Sequence, residues 1–429
     1  MKSCFLYFLT ALLWGAMSSL YGQPLAFPYP AWMTGTPQVH AQAIGDELWV
    51  LYRQGEQAEI RTYQPDGART FGRRLRDIAV DDRFIGLTRT PHSVHLFWQQ
   101  GRSGQFLEMV CPLEKGPISL LRKQEDYLVQ RSLNWGSFVY QDQLYLLRPH
   151  LGGGLRLTCF APGKPLKKWD IPVAQKSLEE RLKWGFSQMT PEKSGHISQA
   201  FPAQKMYLQG DWLSLCLEGP DSLHIWRWHL QEERKVEKAL PNPQSEAEIA
   251  SALVGHEVFL LSLQGDSMML DRWNLLSAEK PGRQAWSIRQ TTRPGRWVEE
   301  DQQGRIHLLE QAPQVFPPQD WTVSKLALAV KWMPEGYLGL QMGYLQFLRS
   351  RGEETFWQDE PQQALYWETG LSIPDLQFLS SQHFWQLLRS QPLQTAYDSY
   401  LSWGKGSFGL KMDHQTRQLW LMPLAHHGE

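Results

Sequence analysis

A short apolar run flanked by polar residues recurs along the chain. The first apolar positions of the seven clear copies are separated by 46, 50, 69, 45, 48 and 113 residues. The copies are DELWVLYR (46–53), HSVHLFWQ (92–99), DQLYLLRP (142–149), DWLSLCLE (211–218), HEVFLLSL (256–263), GRIHLLEQ (304–311) and RQLWLMPL (417–424), with a weaker GYLQFLRS (343–350) inside the widest gap. A period in the high forties indicates a fold built from repeats.

Each copy lies among further strand-like runs. FIGLTRT (84–90) precedes one copy, FLEMVCPL (106–113) follows it, and a run such as LKKWDI (166–171) often closes the unit. Four short strands joined by tight turns at this period are typical of a β-propeller blade. The copies are apolar at almost every position, as expected for strands buried on both faces between neighbouring blades.

We therefore predict an all-β chain that resembles β-propellers at the level of architecture. Seven blades fit the copies best, eight are the alternative, and a pair of β-sandwiches is the option that the regular period disfavours. No short propeller signature recurs, since Trp169–Asp170 and YWET (366–369) each stand alone, and no named family is indicated. The last copy ends near the C-terminus, so we expect the segment around 24–32 to complete its blade and cover an exposed sheet edge.

Two stretches interrupt the repeat and predict helical insertions, at about 172–205 and 372–403. In the first, Ser177 and Glu180 have the spacing of a capping box at the start of a helix over 177–189. In the second, Pro374 suits a first helical turn. One face of that helix would carry Leu376, Leu379, His383 and Leu387. Both insertions are interpreted as lids or as simple edge coverings.

The N-terminus has the layout of a secretory signal peptide over residues 1–22. Lys2 precedes an apolar run that is too short to span a bilayer comfortably, and small residues follow it. The alternative is an uncleaved N-terminal anchor. No later stretch is apolar enough to cross a membrane. We expect residues 23–429 to form one domain that is exported to the periplasm or the exterior, with no transmembrane segment after cleavage.

Charge and cysteine content remove several classes of function. The chain carries 43 basic and 44 acidic residues without long blocks of either sign, which is not the basic footprint of a nucleic-acid-binding protein. Three cysteines would remain after cleavage, Cys111, Cys159 and Cys216, and each lies in an apolar stretch where we expect it to pack. Cys111 and Cys159 occupy equivalent runs of adjacent blades, too far apart for a disulfide.

The motifs that could hold a cofactor or a metal ion favour neither. GKGSFG (404–409) has nucleotide-loop spacing, but its glycines follow a predicted helix and open a strand, so it is interpreted as a turn. His92 and His95 are three apart and point to opposite faces of a strand. His95 shares its repeat position with aromatic residues and is expected to pack within its blade. We predict no cofactor, no metal site and no catalytic set.

Polar residues lie at the end of most copies or just after it. Each copy is interpreted as the second strand of its blade, and in propellers the turns after these strands open on one rim around a central funnel. Groups converging there would form a binding site, although turn residues are often simply polar. The candidates are Arg53, Arg102, Arg148, His150, Glu218, Asp221, Asp266, Glu310 and Arg349.

Three functions follow from this interpretation. The first is an exported binding scaffold for a protein or a cell-surface glycan, held by the rim turns. The second is a glycoside hydrolase or lyase, in which Glu218 and Glu310 would act as paired carboxylates roughly 5–10 Å apart. The third is a structural role in the cell envelope.

Overall fold

The computed structural model describes most of the chain beyond the predicted signal peptide, which lies outside the described residues. The described ranges are 24–34, 38–76, 78–101, 105–123, 136–150, 154–171, 186–189, 195–232, 234–244, 246–277, 282–288, 295–301, 305–313, 316–318, 321, 323–332, 337–347, 363–372, 376–390, 399–403, 406–413 and 416–423.

Short strands dominate these residues. In chain order the strands are β1 Leu25–Pro28, β2 Gln38–Ile44, β3 Glu47–Gln54, β4 Gln57–Tyr63, β5 Arg69–Leu75, β6 Arg83–Arg89, β7 Ser93–Gln99, β8 Phe106–Pro112, β9 Ser119–Lys123, β10 Gly136–Tyr140, β11 Gln143–Pro149, β12 Leu155–Phe160, β13 Lys167–Ile171, β14 Ser187–Met189, β15 Gln204–Gln209, β16 Trp212–Glu218, β17 Ser222–His229, β18 Lys235–Pro241, β19 Glu248–Val254, β20 Glu257–Gln264, β21 Ser267–Asn274, β22 Gly282–Ser287, β23 Arg296–Glu300, β24 Ile306–Leu309, β25 Ser324–Trp332, β26 Tyr337–Gln346, β27 Gln363–Ser372, β28 Ser399–Trp403, β29 Gly406–Asp413 and β30 Gln418–Pro423. The helices are α1 Ile197–Ala200 and α2 Ser381–Ser390.

The chain divides into two compact units. The first unit holds four sheets of four strands each, with the orders β2-β3-β4-β5, β6-β7-β8-β9, β10-β11-β12-β13 and β1-β30-β29-β28. The strands that lie next to each other along the chain pair antiparallel, as in β3 with β4 and β7 with β8. This up-and-down order is that of a propeller blade.

The fourth sheet of the first unit joins the two ends of the chain. Strand β1 pairs antiparallel with β30, and Phe27 lies opposite Leu419. Phe27 is 1% exposed and packs with Leu48, Tyr63 and Leu421. Because β1 covers an edge of β30 that would otherwise expose backbone donors and acceptors, the sheet loses an aggregation-prone edge. The prediction that the segment around 24–32 completes the last sheet is confirmed.

The second unit holds three sheets among its described residues. Their orders are β14-β15-β16-β17-β18, β19-β20-β21-β22 and β24-β23-β27-β26-β25. The short β14 pairs parallel with β15, whereas the consecutive strands from β15 to β18 pair antiparallel. Side chains from these sheets, including Phe259, Leu340 and Tyr366, form two apolar clusters at the centre of the unit.

The second strand of a sheet and its last strand differ in burial as the sequence pattern predicts. In β3, β7 and β16 every position between the first and the last residue is buried, so both faces are covered. In β5 and β18 exposed and covered positions alternate along most of the strand. Each fully buried Leu, Val or Phe contributes about 1.5–3 kcal/mol relative to an exposed one. The continuous apolar copies are thus the most stabilising strands of their sheets.

The copy GRIHLLEQ is placed differently from its prediction. It forms β24, an outer edge strand in which Leu308 is 54% exposed, rather than a buried second strand. The weaker copy GYLQFLRS begins within β26, whose interior is buried. Strand β23 precedes β25 in the chain but pairs with β27, so β23 and β24 are added to this sheet from an earlier segment. The widest repeat gap reflects this exchange, which periodicity alone does not show.

The described residues of the predicted first insertion are helical only in part. Residues 187–189 form β14, so the predicted helix over 177–189 does not reach its predicted end; residues 172–185 and 190–194 lie outside the described part. The capping-box pair Ser177 and Glu180 is within that undescribed stretch. Four residues, α1, are helical further on, and their buried Ile197 and Ala200 pack with the second unit's apolar residues.

The second predicted insertion is shorter than 372–403. Leu376 has a φ of +56° and Leu379 donates its backbone N–H to Gly370 O at 3.0 Å, so both precede the helix, which begins at Ser381. The end of the range forms β28 instead. Phe384 is 1% exposed and packs on Leu379 and Tyr337 at the start of β26. Helix α2 thus packs at the end of its sheet where β26 begins. Neither helix of the described residues is long and apolar enough to cross a bilayer.

The three cysteines are buried and free, which confirms that they pack. Cys159 donates its thiol to Gln143 Oε1 at 3.0 Å. Burial raises the pKa of Cys111 and of Cys216 to about 12. At pH 8 such a thiol is ionised in about one molecule in ten thousand, and the thiolate is the reactive form.

Thiol titration of the chain 23–429 checks this arrangement. With dithiodipyridine at pH 8 we expect almost no reaction in the native protein and reaction of all three cysteines after unfolding in guanidinium, because burial and the raised pKa act together. Rapid reaction of one thiol in the native state would contradict the burial of that cysteine.

Candidate functional site

Six of the predicted rim residues lie at the end of a strand formed by a repeat copy or in the turn after it. These residues are Arg53 and Arg148 near the ends of β3 and β11, His150 after β11, Glu218 at the end of β16, Asp221 after β16 and Asp266 after β20. The structure brings them to equivalent positions, but it gives the charged groups different roles.

Arg53 is a structural clamp. Its guanidinium, on a residue only 4% exposed, donates to Ala79 O at 2.6 Å, to Val80 O at 2.9 Å and to Asp82 O in the loop before β6. Its Cζ lies 5.4 Å from the centre of the Trp98 ring. Burial lowers the pKa of Arg53, but arginine stays charged at any physiological pH. Arg53 therefore ties one sheet to the loop that enters the next and is not available to a ligand.

Arg148 and His150 also have partners within the protein. Arg148 is 7% exposed, and its Cζ lies 5.8 Å from the centre of the Phe106 ring. His150 Nε2 lies 3.3 Å from Arg156 Nη2, and Arg156 donates to both carboxylate oxygens of Asp170 at 2.6 and 3.0 Å. That bidentate pairing lowers the pKa of Asp170. The group stabilises the β11–β12 turn.

Glu218 is the centre of a buried ion cluster in the second unit. It is 5% exposed, and its Oε1 accepts from Lys205 Nζ at 2.8 Å. The same oxygen accepts from the backbone N–H of Ser251 at 2.7 Å and from its hydroxyl at 2.8 Å. Lys325 Nζ lies 4.0 Å from Oε2. This carboxylate joins β15, β16 and β19 and has the surroundings of a structural anion, not of a catalytic acid.

Glu310 does not lie at a turn after a second strand. It follows β24, the edge strand at the far side of its sheet from β25, and it is exposed. Glu218 ends β16 and therefore belongs to a different sheet from β24. Carboxyl pairs of glycosidases lie about 5–10 Å apart. That Glu218 and Glu310 act as such a pair stays a prediction.

The remaining rim candidates divide into exposed and undescribed residues. Asp221 and Asp266 are exposed in their turns, and their backbone oxygens accept from Asn242 N at 2.8 Å and Ile288 N at 2.9 Å. Arg102 and Arg349 lie outside the described residues.

His95 belongs to a buried polar chain. Its Nε2 lies 2.8 Å from Ser93 Oγ, and its Nδ1 lies 2.6 Å from Oε1 of Glu108, which is fully buried. Thr90 Oγ1 lies 2.8 Å from the same Ser93 hydroxyl and closes the β6–β7 turn. The Ser93 hydroxyl is thus in hydrogen-bond contact on both sides, and the four linked side chains join the β6–β7 turn to β8. His95 packs within its sheet as predicted. Among the described residues, no three His, Cys, Asp or Glu side chains form a possible metal site.

A cavity of about 620 Å³ lies in the first unit, next to the loop that Arg53 clamps. Its polar lining consists of Trp32, Glu56, Gln57, Arg74 and Arg76, and Leu75 contributes apolar surface. Ligand pockets commonly measure about 300–1,000 Å³ and combine apolar surface with a few convergent polar groups. Both properties are present here, so we take this cavity, called the Trp32 cavity below, as the candidate binding site.

A buried carboxylate holds the indole of Trp32 in place. Trp32 Nε1 donates to Glu59 Oε2 at 2.7 Å, and Arg61 Nε donates to Glu59 Oε1 at 2.7 Å. Glu59 and Arg61 are each 8% exposed. Arg61 Nη1 also donates to Pro28 O at 2.9 Å. Because its N–H is bonded, the half-buried indole is held in one orientation beside the cavity that it lines.

The segment that carries Trp32 is anchored at both sides. Tyr29 N donates to Arg417 O at 3.0 Å, and the Arg417 guanidinium donates to Pro30 O at 3.4 Å and to Met33 O. Thr34 N donates to Gln54 Oε1 at 3.0 Å. The N-terminal segment therefore forms a fixed wall.

Strand β5 and the β3–β4 hairpin supply the other walls. At the end of β5, Arg74 is exposed and Leu75 is buried, because successive residues of a strand point to opposite faces, and Arg76, directly after the strand, is exposed. The hairpin turns at Gly55, whose φ of +61° is readily adopted only by glycine, and this places Glu56 and Gln57 at the cavity. The result is an aromatic face beside cationic and amide groups, an arrangement that can bind but carries no pair of opposed catalytic groups.

Sequence reasoning missed this cavity although it identified the segments around it. The segment 24–32 was expected to close a sheet, and Arg53 was expected at a rim. The contact between Trp32 and Glu59 joins positions 27 residues apart, one in the loop between β1 and β2 and the other in β4. A local signal exists only in β5, where RTFGRRLR carries four arginines in eight residues.

Comparison with known proteins identifies no family. No family model matches the chain, and no curated protein matches it. Its structure is similar to a crystal structure of an ACO/RPE65 chimera, at a TM-score of 0.33 and 9% identity over 60% of this chain and 63% of that chain. It is also similar to a mutant of Synechocystis apocarotenoid oxygenase (ACO), at a TM-score of 0.30 and 9% identity over 62% of this chain and 61% of that chain. The matched region thus spans less than two thirds of these proteins, and similarity at this level assigns no activity. The sheets themselves have the organisation of β-propeller blades, without a specific family.

The structural role of Glu218 can be measured by removing its partner. Lys205→Met should destabilise the protein by about 3–5 kcal/mol in urea unfolding, because it leaves a buried carboxylate without its nearest cation. Lys205→Met combined with Glu218→Met should recover much of that loss, since no buried charge remains. The exposed Lys235→Met serves as control and should change stability by less than about 0.5 kcal/mol. A loss below that value for Lys205→Met would contradict the ion cluster.

Proposed function

We propose that residues 23–429 form a single exported β-propeller of seven blades that acts as a binding module for a glycan, with a protein as the alternative partner. Support for the blade number comes from the seven small sheets of the described residues and from their strand order. Further support comes from the pairing of β1 with β30, because joining both chain ends in one sheet is a means of closing a ring. Export is proposed from the signal-peptide pattern of residues 1–22.

Small-angle X-ray scattering of the chain 23–429 tests the single-domain part of this proposal. A compact domain of this length should have a radius of gyration of about 22 Å. Two units that move independently would give a value several ångströms larger and a scattering profile with two maxima in its distance distribution. That second result would contradict a single propeller.

The Trp32 cavity is the single observation that carries the binding function. Saccharides stack the apolar faces of their rings on aromatic side chains, and planar amide and guanidinium groups bind their oxygens. The cavity supplies an indole held by Glu59, with Gln57, Arg74 and Arg76 around it. Because the wall segment is anchored by Arg417 and Gln54, little conformational entropy would be lost on binding.

The rival function, a glycoside hydrolase or lyase, has less support. The carboxylate of Glu218 is surrounded by Lys205 and Ser251, and Glu310 follows an edge strand of another sheet. Glu59, behind Trp32, is bonded to Arg61 and to the indole, and Glu56 is the one carboxylate among the described residues that line the Trp32 cavity. A hydrolase needs two cooperating carboxyl groups.

Thermal unfolding with a panel of neutral and acidic oligosaccharides tests the glycan function. A ligand present at about one hundred times its dissociation constant stabilises the native state by about 2.7 kcal/mol, which raises the melting temperature measurably. We expect at least one saccharide to do so, and Trp32→Ala to abolish the effect. Trp385→Ala is the matched control, because that tryptophan is 40% exposed on α2 and lies outside the cavity lining.

Two outcomes would contradict the glycan function. One is the absence of any shift across the panel. The other is a shift that survives Trp32→Ala in a protein whose circular dichroism is unchanged, since the saccharide would then bind elsewhere.

A further inference from the structure

The charges around the Trp32 cavity do not balance. Glu59 is compensated by Arg61, whose Nε lies 2.7 Å away. Arg74 approaches the same carboxylate only to 3.9 Å, and its side chain is 71% exposed. Arg76 is exposed as well, and Glu56 contributes a carboxylate to the lining. Among the described residues of the lining, two guanidinium groups, those of Arg74 and Arg76, therefore accompany one carboxylate, that of Glu56, a formal excess of one positive charge.

The two exposed arginines both line the cavity. Arg74 lies in β5, and Arg76 directly follows Leu75, the last residue of that strand. Two guanidinium forks that line one cavity can bind the two oxygens of a carboxylate or the oxygens of a sulfate in parallel. The neighbouring Arg73 differs, because it donates to Glu114 O at 3.4 Å and to Gly116 O on another loop.

The other lining groups indicate which further chemical groups a ligand needs besides its anionic group. The indole of Trp32 offers an apolar face, and its orientation is set by its bond to Glu59. Gln57 adds an amide that can donate to and accept from hydroxyl groups. A ligand that uses the whole lining therefore has a flat apolar face, several hydroxyl groups and an acidic substituent, all within a cavity of about 620 Å³.

We propose that the Trp32 cavity selects an acidic saccharide, with a uronate residue whose ring stacks on Trp32 and whose carboxylate is bound by Arg74 and Arg76. This inference rests on the proposed glycan-binding function and narrows it to one class of sugar. A neutral saccharide would stack on the same indole but would offer no anionic group to Arg74 and Arg76. Glu56 opposes the anion, so its charge limits the affinity.

Calorimetric titration of the chain 23–429 tests the selection. The probes are tetragalacturonate, tetraguluronate and a hyaluronan tetrasaccharide, each paired with its carboxyl-reduced, neutral form. We expect at least one acidic probe to bind at least about tenfold more tightly than its neutral partner, the difference that a charge-assisted contact commonly supplies. The advantage should shrink as the salt concentration rises from about 0.05 to 0.5 M, because the cavity is open to solvent and its charges are screened.

Matched variants test which side chains cause the tighter binding of the acidic probe. Arg74→Gln combined with Arg76→Gln should weaken binding of the acidic probe at least about tenfold and leave the neutral partner nearly unaffected. Glu56→Gln should strengthen binding of the acidic probe severalfold by removing a like charge. Arg234→Gln, at an exposed position in the second unit, is the control and should change neither.

The outcomes separate this inference from the proposed function. Equal binding of acidic and neutral partners that depends on Trp32 would overturn the acidic selection and leave the glycan function intact. Binding of acidic probes that survives both arginine substitutions would also overturn it. Failure of every probe, acidic and neutral, together with no shift in the wider panel, would contradict the glycan function itself.

Discussion

Burial of the second strand on both of its faces is the constraint on which the sheets depend. A strand such as β7 or β16 has no face that water can reach, so its sheet is stable only when other packed elements cover both sides. The outer strands β5 and β18 are free of that requirement and alternate between covered and exposed residues. Apolar packing therefore concentrates near one side of each sheet, and polar chemistry is confined to strand ends, turns and outer edges.

The strand ends show how the buried charges are tolerated. Arg53 reaches carbonyl oxygens of the following loop, Glu218 accepts from Lys205 and Ser251, and Glu59 accepts from Arg61 and Trp32. Each charge is desolvated, and each regains its lost hydrogen bonds from a neighbouring element. Charges used in this way are unavailable to a ligand. The residues left over, Arg74 and Arg76 beside the indole, are those that give the Trp32 cavity its binding character.

The strand content, the buried copies and the closing strand β1 could be predicted because they follow from periodicity and apolar runs. The assignment of GRIHLLEQ to a buried strand was wrong because β23 pairs with β27 over a long sequence separation, and no local pattern records that pairing. Rim position was predictable for Arg53 and Glu218, but their burial was not, since it depends on which neighbouring atoms complete their bonds. The Trp32 cavity could not be predicted either, because its lining comes from three segments of the chain and depends on how they pack together.

The pairing of β1 with β30 also affects the order in which parts of the protein fold. Strand β30 lies almost 400 positions after β1 in the chain, so the edge of that sheet stays open until the residues of β30 have been synthesised. Contacts of such long sequence separation slow folding because a large loop must close before they form. The segment that carries Trp32 is bonded to Arg417 beside β30, so the wall of the Trp32 cavity is completed only after these distant segments have met.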